Sequence, residues 1–334
     1  MASTTTSVFG EPDDFREALR HEGNLDFYVT GNGRFLARLT KVVLHRLCVA
    51  AVAEQLPRIG FLGVSPEMVS ISFPLGDRPS PIWGGIQPRP GEIMIIGPGH
   101  RLHLRTQGPC CWGAIRMPTS LLFEGFYELT GDKLTIAPVA ACRHTAPAPA
   151  GRLRRLHAAA IRAAEVRPET IVSAESAHGM EQQLLHAIVE CLSTQPRHVQ
   201  KDTDYRDQEL AGRFEDLLQT MAEAPRMDRI LSVLGVSNRH LRQCCADDLG
   251  MSPARYIQLR ALHRVREILR DGEPGSMSVS QVARLNGFSA SGLFAAKYRA
   301  LFGELPSVTL RRPYPLPAPY SPKPHRLHEC FEKL

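Results

Sequence analysis

Two stretches in the C-terminal part of the chain repeat one arrangement, and it constrains the fold more than any other feature. Each has an apolar helix face, a glycine, an apolar residue that can fill the space between two helices, and a second amphipathic segment. The stretches are MDRILSVLGVSNRHLRQCCADDLG and SVSQVARLNGFSASGLFAAKYRALFG, and the phrases LGMSP and LFGELP follow from their last residues. Because glycine ends helices and proline starts new segments, the pattern predicts two helix-turn-helix units.

The two units assign particular roles to a few residues. Gly235 permits the first tight turn, Val236 fills the space between the helices, and Ser237 is a good N-cap for the second helix. Gly287 and Phe288 take the turn and filling positions of the second unit. The connecting segment 255–270 predicts a helix about 24 Å long. That length is comparable to the roughly 34 Å between successive major-groove faces of a duplex.

The distribution of charge agrees with a polyanionic partner. The chain has a net charge of +6. Residues 226–312 contain fourteen arginines and lysines against seven aspartates and glutamates, so this segment carries the whole positive excess. A basic segment of this kind favours contact with nucleic acid, although a solvated basic face is the alternative.

Four motifs in this segment resemble the AraC/XylS family of bacterial transcription regulators. They are LGVSNRHLRQ, LGMSPARYIQLR, VARLNGF and YRALFGELPSVTLR, and together they span about a hundred residues. The last is similar to the XylS branch, which activates aromatic-acid catabolism. The resemblance implies a DNA-binding transcription regulator, an activator rather than an enzyme, that binds promoter DNA and responds to a small-molecule effector. It also implies a homodimer that works with RNA polymerase.

The two predicted recognition helices differ in their outward residues. The first presents side chains that can hydrogen-bond base edges, and the resemblance implies base contacts by Arg239, Arg242 and Gln243. Asn238 lies on the same predicted face, and Ser291 is the base-contacting candidate of the second helix, whose other outward positions are small. We expect backbone contacts from Ser237, Ser289, Lys297 and Arg299. The first helix is therefore predicted to supply most of the sequence specificity.

The N-terminal half has a different pattern. Short alternating segments between 27 and 117 are separated by Gly- and Pro-rich turns, which favours a small antiparallel barrel or sandwich. Two helical stretches follow a proline-rich break, and the second has an apolar stripe of Leu185, Ile188, Val189 and Leu192. This stripe suits either packing within the chain or a dimer seam.

These patterns predict an α+β fold with five regions. The N-terminal region resembles the family's cupin-like sensing half, with a helical hairpin after it, and the C-terminal domain is all-α. The predicted regions are 1–150, the sensing domain; 151–195, a helical dimerisation or packing segment; 196–207, a linker; 208–312, the double helix-turn-helix domain; and 313–334, a proline-rich tail.

Two rival functions remain open. A cupin-type metalloenzyme would use His100, His103 and Glu92, but the spacing lacks the His-x-His pair, and positions 100 and 103 of a strand face opposite sides. We therefore predict no metal and no cofactor. The other rival is an architectural DNA binder without an effector. Candidate effector contacts are the two tryptophans and three strand residues of one face: Trp83, Trp112, Arg101, His103 and Arg105.

The remaining features place the protein in a broad class. The apolar runs are much shorter than the roughly 18 residues that a membrane span needs, and the N-terminal segment lacks the pattern of a signal peptide. The eight cysteines show no zinc spacing and suit free thiols of a reducing compartment. We expect a cytoplasmic, nucleoid-associated bacterial protein with no membrane partner.

Overall fold

The computed structural model describes residues 2–20, 24–76, 78–193, 202–221, 226–271, 277–289 and 291–311. The strands are β1 (Ser3–Phe9), β2 (Asn24–Val29), β3 (Ala37–Val43), β4 (Cys48–Glu54), β5 (Arg58–Gly63), β6 (Met68–Pro74), β7 (Ile82–Trp83), β8 (Glu92–Ile96), β9 (Arg101–Thr106), β10 (Cys110–Pro118) and β11 (Ala140–His144). The helices are α1 (Pro12–Arg20), α2 (Thr119–Thr130), α3 (Pro147–Val166), α4 (Pro168–Val172), α5 (Ala174–Ser193), α6 (Asp202–Thr220), α7 (Met227–Leu234), α8 (Asn238–Leu249), α9 (Pro253–Asp271), α10 (Val279–Leu285), α11 (Ser291–Phe302) and α12 (Pro306–Arg311).

The N-terminal half is a two-sheet sandwich. A seven-stranded sheet has the order β1-β3-β4-β10-β6-β8-β11, and a four-stranded sheet has the order β2-β5-β9-β7. All of their pairings between named strands are antiparallel. Alternate side chains from both sheets, such as Phe27, Val52 and Leu104, meet in one apolar core between them. The alternating segments therefore predicted this half correctly.

Helices cover the outer face of the larger sheet. Apolar residues of α3 and α5 share a second core with strand residues such as Val49 and Ile71. The stripe from Leu185 to Leu192 is buried within this core, at 5% exposure or less. The apolar face of α5 thus packs within the chain.

The C-terminal half is entirely helical in its described part, and its caps follow the predicted turn chemistry. Gly235 and Gly250 end α7 and α8 in the left-handed region, at φ 68° and 69°. The Ser237 hydroxyl caps α8 by accepting a hydrogen bond from the backbone N–H of His240 at 3.2 Å. Ser278 and Gln281 form a reciprocal capping box that begins α10. Two helix-turn-helix units on one long helix, α9, are therefore present as predicted.

Several elements differ from the sequence expectation. β1 and α1 precede the predicted β region, while α2 and β11 lie where no element was expected. The predicted proline-rich break contains the start of α3, because Pro147 occupies a first-turn position that needs no backbone N–H. Helix α6 begins at Asp202, inside the predicted linker; the rest of that linker from 196 to 201, and the tail from 313, lie outside the described residues.

Candidate nucleic-acid interface

The first recognition helix, α8, presents a polar face to solvent. Asn238, Arg239, Arg242 and Gln243 are exposed, whereas Leu241 is fully buried in the core of the unit. The Ser237 hydroxyl accepts a hydrogen bond from the backbone N–H of His240 and so caps the first turn of this helix. These side chains are exposed, as the sequence predicts, and their contact with bases stays a prediction.

Two polar side chains of α8 have partners within the chain. Gln243 donates to both carboxylate oxygens of Asp247, at 3.1 and 2.9 Å. His240 lies 2.7 Å from a carboxylate oxygen of Asp207 on α6. A base contact by Gln243 thus competes with an exposed local hydrogen bond that costs little to break.

The second recognition helix, α11, exposes much smaller side chains. Gly292, Leu293 and Ala296 are exposed, and Phe294 and Tyr298 are buried beneath them. This face lacks bidentate donors at the positions that Arg239 and Gln243 hold on α8. It suits apolar and shape contacts rather than hydrogen-bonded base recognition.

The predicted backbone-contacting residues of the second unit differ in their surroundings. Arg299 and Ser289 are exposed. Lys297 is half-buried and donates to the Gln258 side chain of α9 at 2.9 Å, which uses one of its three N–H donors. The side chain of Ser291 lies outside the described residues. Arg299 is therefore the cation of α11 that faces solvent most directly.

The sandwich contacts the C-terminal ends of both recognition helices. The backbone of Gly85 lies beside Asp247, and the Arg105 guanidinium contacts Gly250, which ends α8. Asn32 lies against Gly303, which ends α11, with its Oδ1 2.9 Å from where a Cβ would be. The C-terminal ends of both recognition helices thus lie against the sandwich.

A buried polar cluster joins the sandwich to the first unit. The Glu215 carboxylate of α6, at 0% exposure, accepts a hydrogen bond from the Tyr256 hydroxyl at 2.8 Å and pairs with Arg260. His103 of β9 places its Nε2 3.1 Å from Glu215 and its Nδ1 2.7 Å from Asp248. These groups compensate one another in an interface that excludes water.

The second unit meets the sandwich through the outer side of α9. Arg16 pairs with Glu267, and Arg270 pairs with Asp13, both across the edge of the interface. His263 is partly buried there and donates to the Val29 carbonyl at 2.9 Å. Its burial lowers the pKa of His263 to about 3.

These contacts modify the interpretation of the basic segment. Arg260, Arg266 and Arg270 of α9 are half-buried, and the Arg266 guanidinium lies 4.6 Å from the Phe302 ring centroid. Part of the positive excess therefore joins the two halves of the chain. Other arginines of the segment are exposed to solvent: Arg226, Arg229, Arg239, Arg242, Arg255, Arg264, Arg284, Arg299 and Arg311.

The predicted effector residues occupy two different places. Trp83 and Trp112 pack edge to face in the sandwich, with centroids 6.2 Å apart. The three residues of β9 face the C-terminal half: Arg101 forms two 2.5 Å hydrogen bonds with Asp216, His103 enters the buried cluster, and Arg105 contacts Gly250. This strand face does bind carboxylates, but they belong to the same chain. An effector role for its residues stays a prediction and would require the halves to separate.

The carboxylates that complete this junction are not among the residues predicted from the sequence. Glu215 and Asp248 lie on amphipathic helices where acids usually face solvent, and neither has a local motif. Their burial at 0% and 6% exposure depends on strand β9, more than a hundred residues away. The basic residues and the histidine that alternate along β9 are a sequence signal for acidic partners on that strand face.

The described part of the chain also bears on metal binding and on membranes. It contains no group of three or more His, Cys, Asp or Glu side chains arranged to hold a metal ion. His100 is partly buried outside β9, and burial lowers the pKa of His100 to about 4. Within the same described ranges, no helix has the length and apolar character of a membrane span.

Comparison with known proteins supports the interpretation of the helical half. A family model described as a helix-turn-helix domain matches residues 230–312. A XylDLEGF operon transcriptional activator of Pseudomonas putida is 34% identical over 103 residues, which are 30% of this chain and 32% of that protein. XylDLEGF operon transcriptional activator 3 of the same organism is 27% identical over 227 residues, 67% of this chain and 66% of that protein.

A more distant bacterium and two solved structures give further similarities. A probable thc operon regulatory protein of Rhodococcus erythropolis is 32% identical over 97 residues, 29% of each chain. The AraC-like transcriptional activator CuxR has a TM-score of 0.39 at 14% identity, over 84% of this chain and 99% of its own. ToxT of Vibrio cholerae has a TM-score of 0.28 at 12% identity, over 92% and 98%.

The helical half is therefore a double helix-turn-helix domain. Its similarity to the XylDLEGF activators agrees with the resemblance to the AraC/XylS family that its motifs indicate. The matching region spans about a third of the length of the first curated relatives, 32% of the protein in one case.

Proposed function

We propose that this chain is a sequence-specific DNA-binding transcription regulator, and an activator, whose activity depends on a small molecule. Promoter DNA is its partner, it acts as a homodimer with RNA polymerase in the bacterial cytoplasm, and it is not an enzyme. The observation that carries the proposal is that both recognition helices, α8 and α11, end against the sandwich, and that the long helix α9 connects their two units. Exposed side chains, Arg239 on α8 and Leu293 on α11, lie near the opposite, N-terminal ends.

The difference between the outer faces of α8 and α11 supports different roles for the two helices. Arg239 and Arg242 reach outward from α8 and can make bidentate contacts with guanine. Ser237 and Ser289 lie at the free N-terminal side, where phosphate contacts position the protein. Arg299 gives α11 a phosphate anchor, and Ser291 is its candidate for a base contact. Specificity then depends mainly on α8.

The extensive contact between the two halves supports the proposal of small-molecule control. The Arg101–Asp216 pair, the buried cluster around Glu215 and the pairs at α9 all connect the sandwich to the helical half. A molecule that binds better to this arrangement than to an opened one would shift the population between them. The name of the XylDLEGF activators describes regulators of an operon, which supports transcription control as the output.

Selection from a random duplex library tests the DNA-binding part. Full-length protein is incubated with random duplexes, and the enriched sequence and a scrambled version are compared by fluorescence anisotropy at fixed salt. We expect the enriched duplex to bind at least about 10³-fold more tightly. Equal affinity for both duplexes would contradict a sequence-specific regulator and favour an architectural DNA binder.

A further inference from the structure

A histidine on the first recognition helix lies beside the face that carries the proposed base contacts. His240 is in the first turn of α8, and its side chain is 47% exposed. Successive residues of a helix are turned by about 100°, and Leu241 and Cys244 face the core of the unit. Arg239 and Gln243 therefore lie near the middle of the outer face, whereas His240 lies on its flank, next to α6.

A carboxylate of α6 holds the ring of His240. The Nε2 atom lies 2.7 Å from Oδ1 of Asp207, whose side chain is 39% exposed. The backbone of Asp207 is itself fixed, because its carbonyl accepts a hydrogen bond from the Cys244 thiol at 3.3 Å. The next residue, Gln208, is buried and exchanges two 3.2 Å hydrogen bonds with the backbone of Ala140. Asp207 is thus a well-placed partner that orients the imidazole.

The second ring nitrogen of His240 is available for another contact. Within the described ranges, Nδ1 has no hydrogen-bond partner. A neutral imidazole has one N–H, and a carboxylate at Nε2 favours the tautomer that carries this hydrogen on Nε2. Nδ1 then only accepts. The imidazolium has a hydrogen on both nitrogens, so it alone can donate from Nδ1 while it keeps its bond to Asp207.

The position on the flank indicates which part of a duplex this nitrogen would meet. A recognition helix lies in the major groove, so the middle of its outer face meets base edges and its flanks pass the sugar-phosphate backbones. A phosphate oxygen accepts hydrogen bonds and donates none. A phosphate beside His240 therefore requires the charged form of the ring, and its negative charge also favours that form.

We propose that His240 donates a hydrogen bond from Nδ1 to a backbone phosphate of the bound duplex as an imidazolium, and that Asp207 is the positioning residue that holds the ring. When the duplex binds, a neutral His240 takes up one proton from solvent at Nδ1, and no other bond changes. Because binding consumes a proton, DNA affinity rises as the pH falls. The inference rests on the proposed function, since it adds a contact and a pH dependence to the same interface.

The charged groups around His240 include one that ordinarily titrates near neutral pH, the imidazole itself. Arginine and carboxylate side chains ordinarily keep their charge between pH 6 and pH 8. Besides Asp207, the charged side chains described on the adjoining parts of α6, α7 and α8 are Arg206, Glu209, Asp228, Arg229, Arg239 and Asp247. A change of affinity between these two pH values is therefore assigned to His240.

Anisotropy titrations of the full-length protein at pH 8 and pH 6, at fixed salt, test the proposal. We expect wild-type protein to bind both the selected and the scrambled duplex about three- to tenfold more tightly at pH 6, because a phosphate contact is made with any sequence. His240→Gln should reduce this gain to about twofold or less, since its amide carries no charge. His240→Arg, a permanent cation, should bind tightly at both pH values and lose the pH dependence.

A second variant tests the role of Asp207. Asp207→Asn keeps the shape of the side chain but removes the charge that favours the imidazolium. It should gain less affinity than the wild type between pH 8 and pH 6, while its affinity at pH 8 should not fall, because an anion near the duplex is lost. Calorimetry in buffers of different ionisation enthalpy measures the protons taken up on binding. This uptake should be smaller in Asp207→Asn and in His240→Gln than in the wild type.

A matched control comes from a second exposed histidine that lies beside a carboxylate. His186 of α5 has the same exposure, 47%, and its Nε2 lies 3.5 Å from Glu190, but α5 packs on the sandwich. His186→Gln should therefore keep the pH dependence and the proton uptake of the wild type. Circular dichroism at both pH values establishes that each variant is folded. Because His240 is exposed, its variants remain informative even if Asp207→Asn misfolds.

Several results would overturn the proposal. They are an unchanged pH dependence in folded His240→Gln, a persistent pH dependence in His240→Arg, or a loss in His186→Gln as large as that in His240→Gln. A loss confined to the selected duplex would make His240 a base contact instead. Wild-type protein that binds the selected duplex equally at both pH values would overturn only this inference. Equal binding of the selected and the scrambled duplex, with a pH gain that depends on His240, would overturn only the proposed function.

Discussion

The two helix-turn-helix units share one fold but differ in their outer faces and in their attachment to the sandwich. The first exposes Arg239 and Arg242 and is joined to the sandwich by the buried cluster around Glu215. The second exposes Gly292 and Ala296 and is attached to the sandwich mainly through ion pairs along α9. The repeated motif thus specifies the backbone, while the outward residues and the remote contacts determine what each unit does.

The largest expected effect concerns the attachment of the first unit. Glu215→Ala should lower the free energy of unfolding by about 3–5 kcal/mol, because it leaves Arg260 and His103 beside each other without their shared carboxylate. Asp216→Ala is a matched control in the next residue, since its pair with Arg101 is exposed at 42% and 40%. It should cost only about 0.2–1 kcal/mol. Urea denaturation of both variants measures the difference, and equal losses would show that the buried cluster has no special role.

The outer face of the first unit gives the next effect. Arg239→Ala should weaken binding to the selected duplex by about 1–3 kcal/mol and binding to a scrambled duplex much less, because a bidentate base contact is lost. Gln243→Ala should cost less, since this side chain first has to leave Asp247. Anisotropy titrations on both duplexes check the prediction. An equal loss on the two duplexes would make Arg239 a phosphate contact.

The attachment of the second unit is expected to depend on pH through His263. The pKa of His263 is lowered to about 3 by burial, below the ordinary value of about 6.5. Between these values the unfolded chain binds a proton that the folded protein does not, so stability falls as pH falls below about 6.5 and is unaffected above it. From pH 7 to pH 5 this histidine alone should cost about 2 kcal/mol.

A second buried histidine provides the comparison for this pH effect. Burial also lowers the pKa of His157 to about 4, but His157 lies on α3, against the outer face of the larger sheet, and donates to the Ala50 carbonyl at 2.9 Å. Urea denaturation at pH 7 and pH 5 should show a smaller pH-dependent loss in His263→Gln and in His157→Gln than in the wild type. Only His263→Gln should also change the contact between α9 and the sandwich, which hydrogen exchange at β2 would detect. An unchanged pH dependence in both variants would contradict the assignment.

The smallest expected effect concerns α11. Arg299→Ala should weaken binding to all duplexes alike by about 1 kcal/mol or less. It should also lower the slope of log affinity against log salt by about one. Lys297→Ala should have a similar uniform effect, reduced by the hydrogen bond that this side chain makes with Gln258. Titrations at several salt concentrations measure the slope. A loss confined to the selected duplex would give α11 a role in base recognition.

The sequence predicted the parts of the molecule that depend on local rules. The glycine turns, the Ser237 cap and the burial of Leu241 all follow from residues within one helix-turn-helix unit. The same rules missed the helix start at Pro147, because the prolines there were interpreted as a break. Alternation along β9 placed Arg101 and Arg105 on one face with His103, and the structure adds that this face is an interface.

The parts that could not be predicted depend on long-range contact. The carboxylates of Glu215 and Asp248 are buried only because a distant strand supplies His103 and because α9 supplies Arg260. A groove beside α9 likewise combines residues of α1, α9 and the turn at 285–288, which no short motif connects. Such sites arise from packing between elements rather than from local spacing.

The most direct test of the account is the energetic profile of the bound duplex. Every base pair of the selected sequence is changed singly, and the affinity of the full-length protein is measured for each. We expect two segments about one helical turn apart, one in which each change costs about 1–3 kcal/mol and one in which changes cost much less. Equal costs in both segments, or one uninterrupted segment, would contradict a division of labour between α8 and α11.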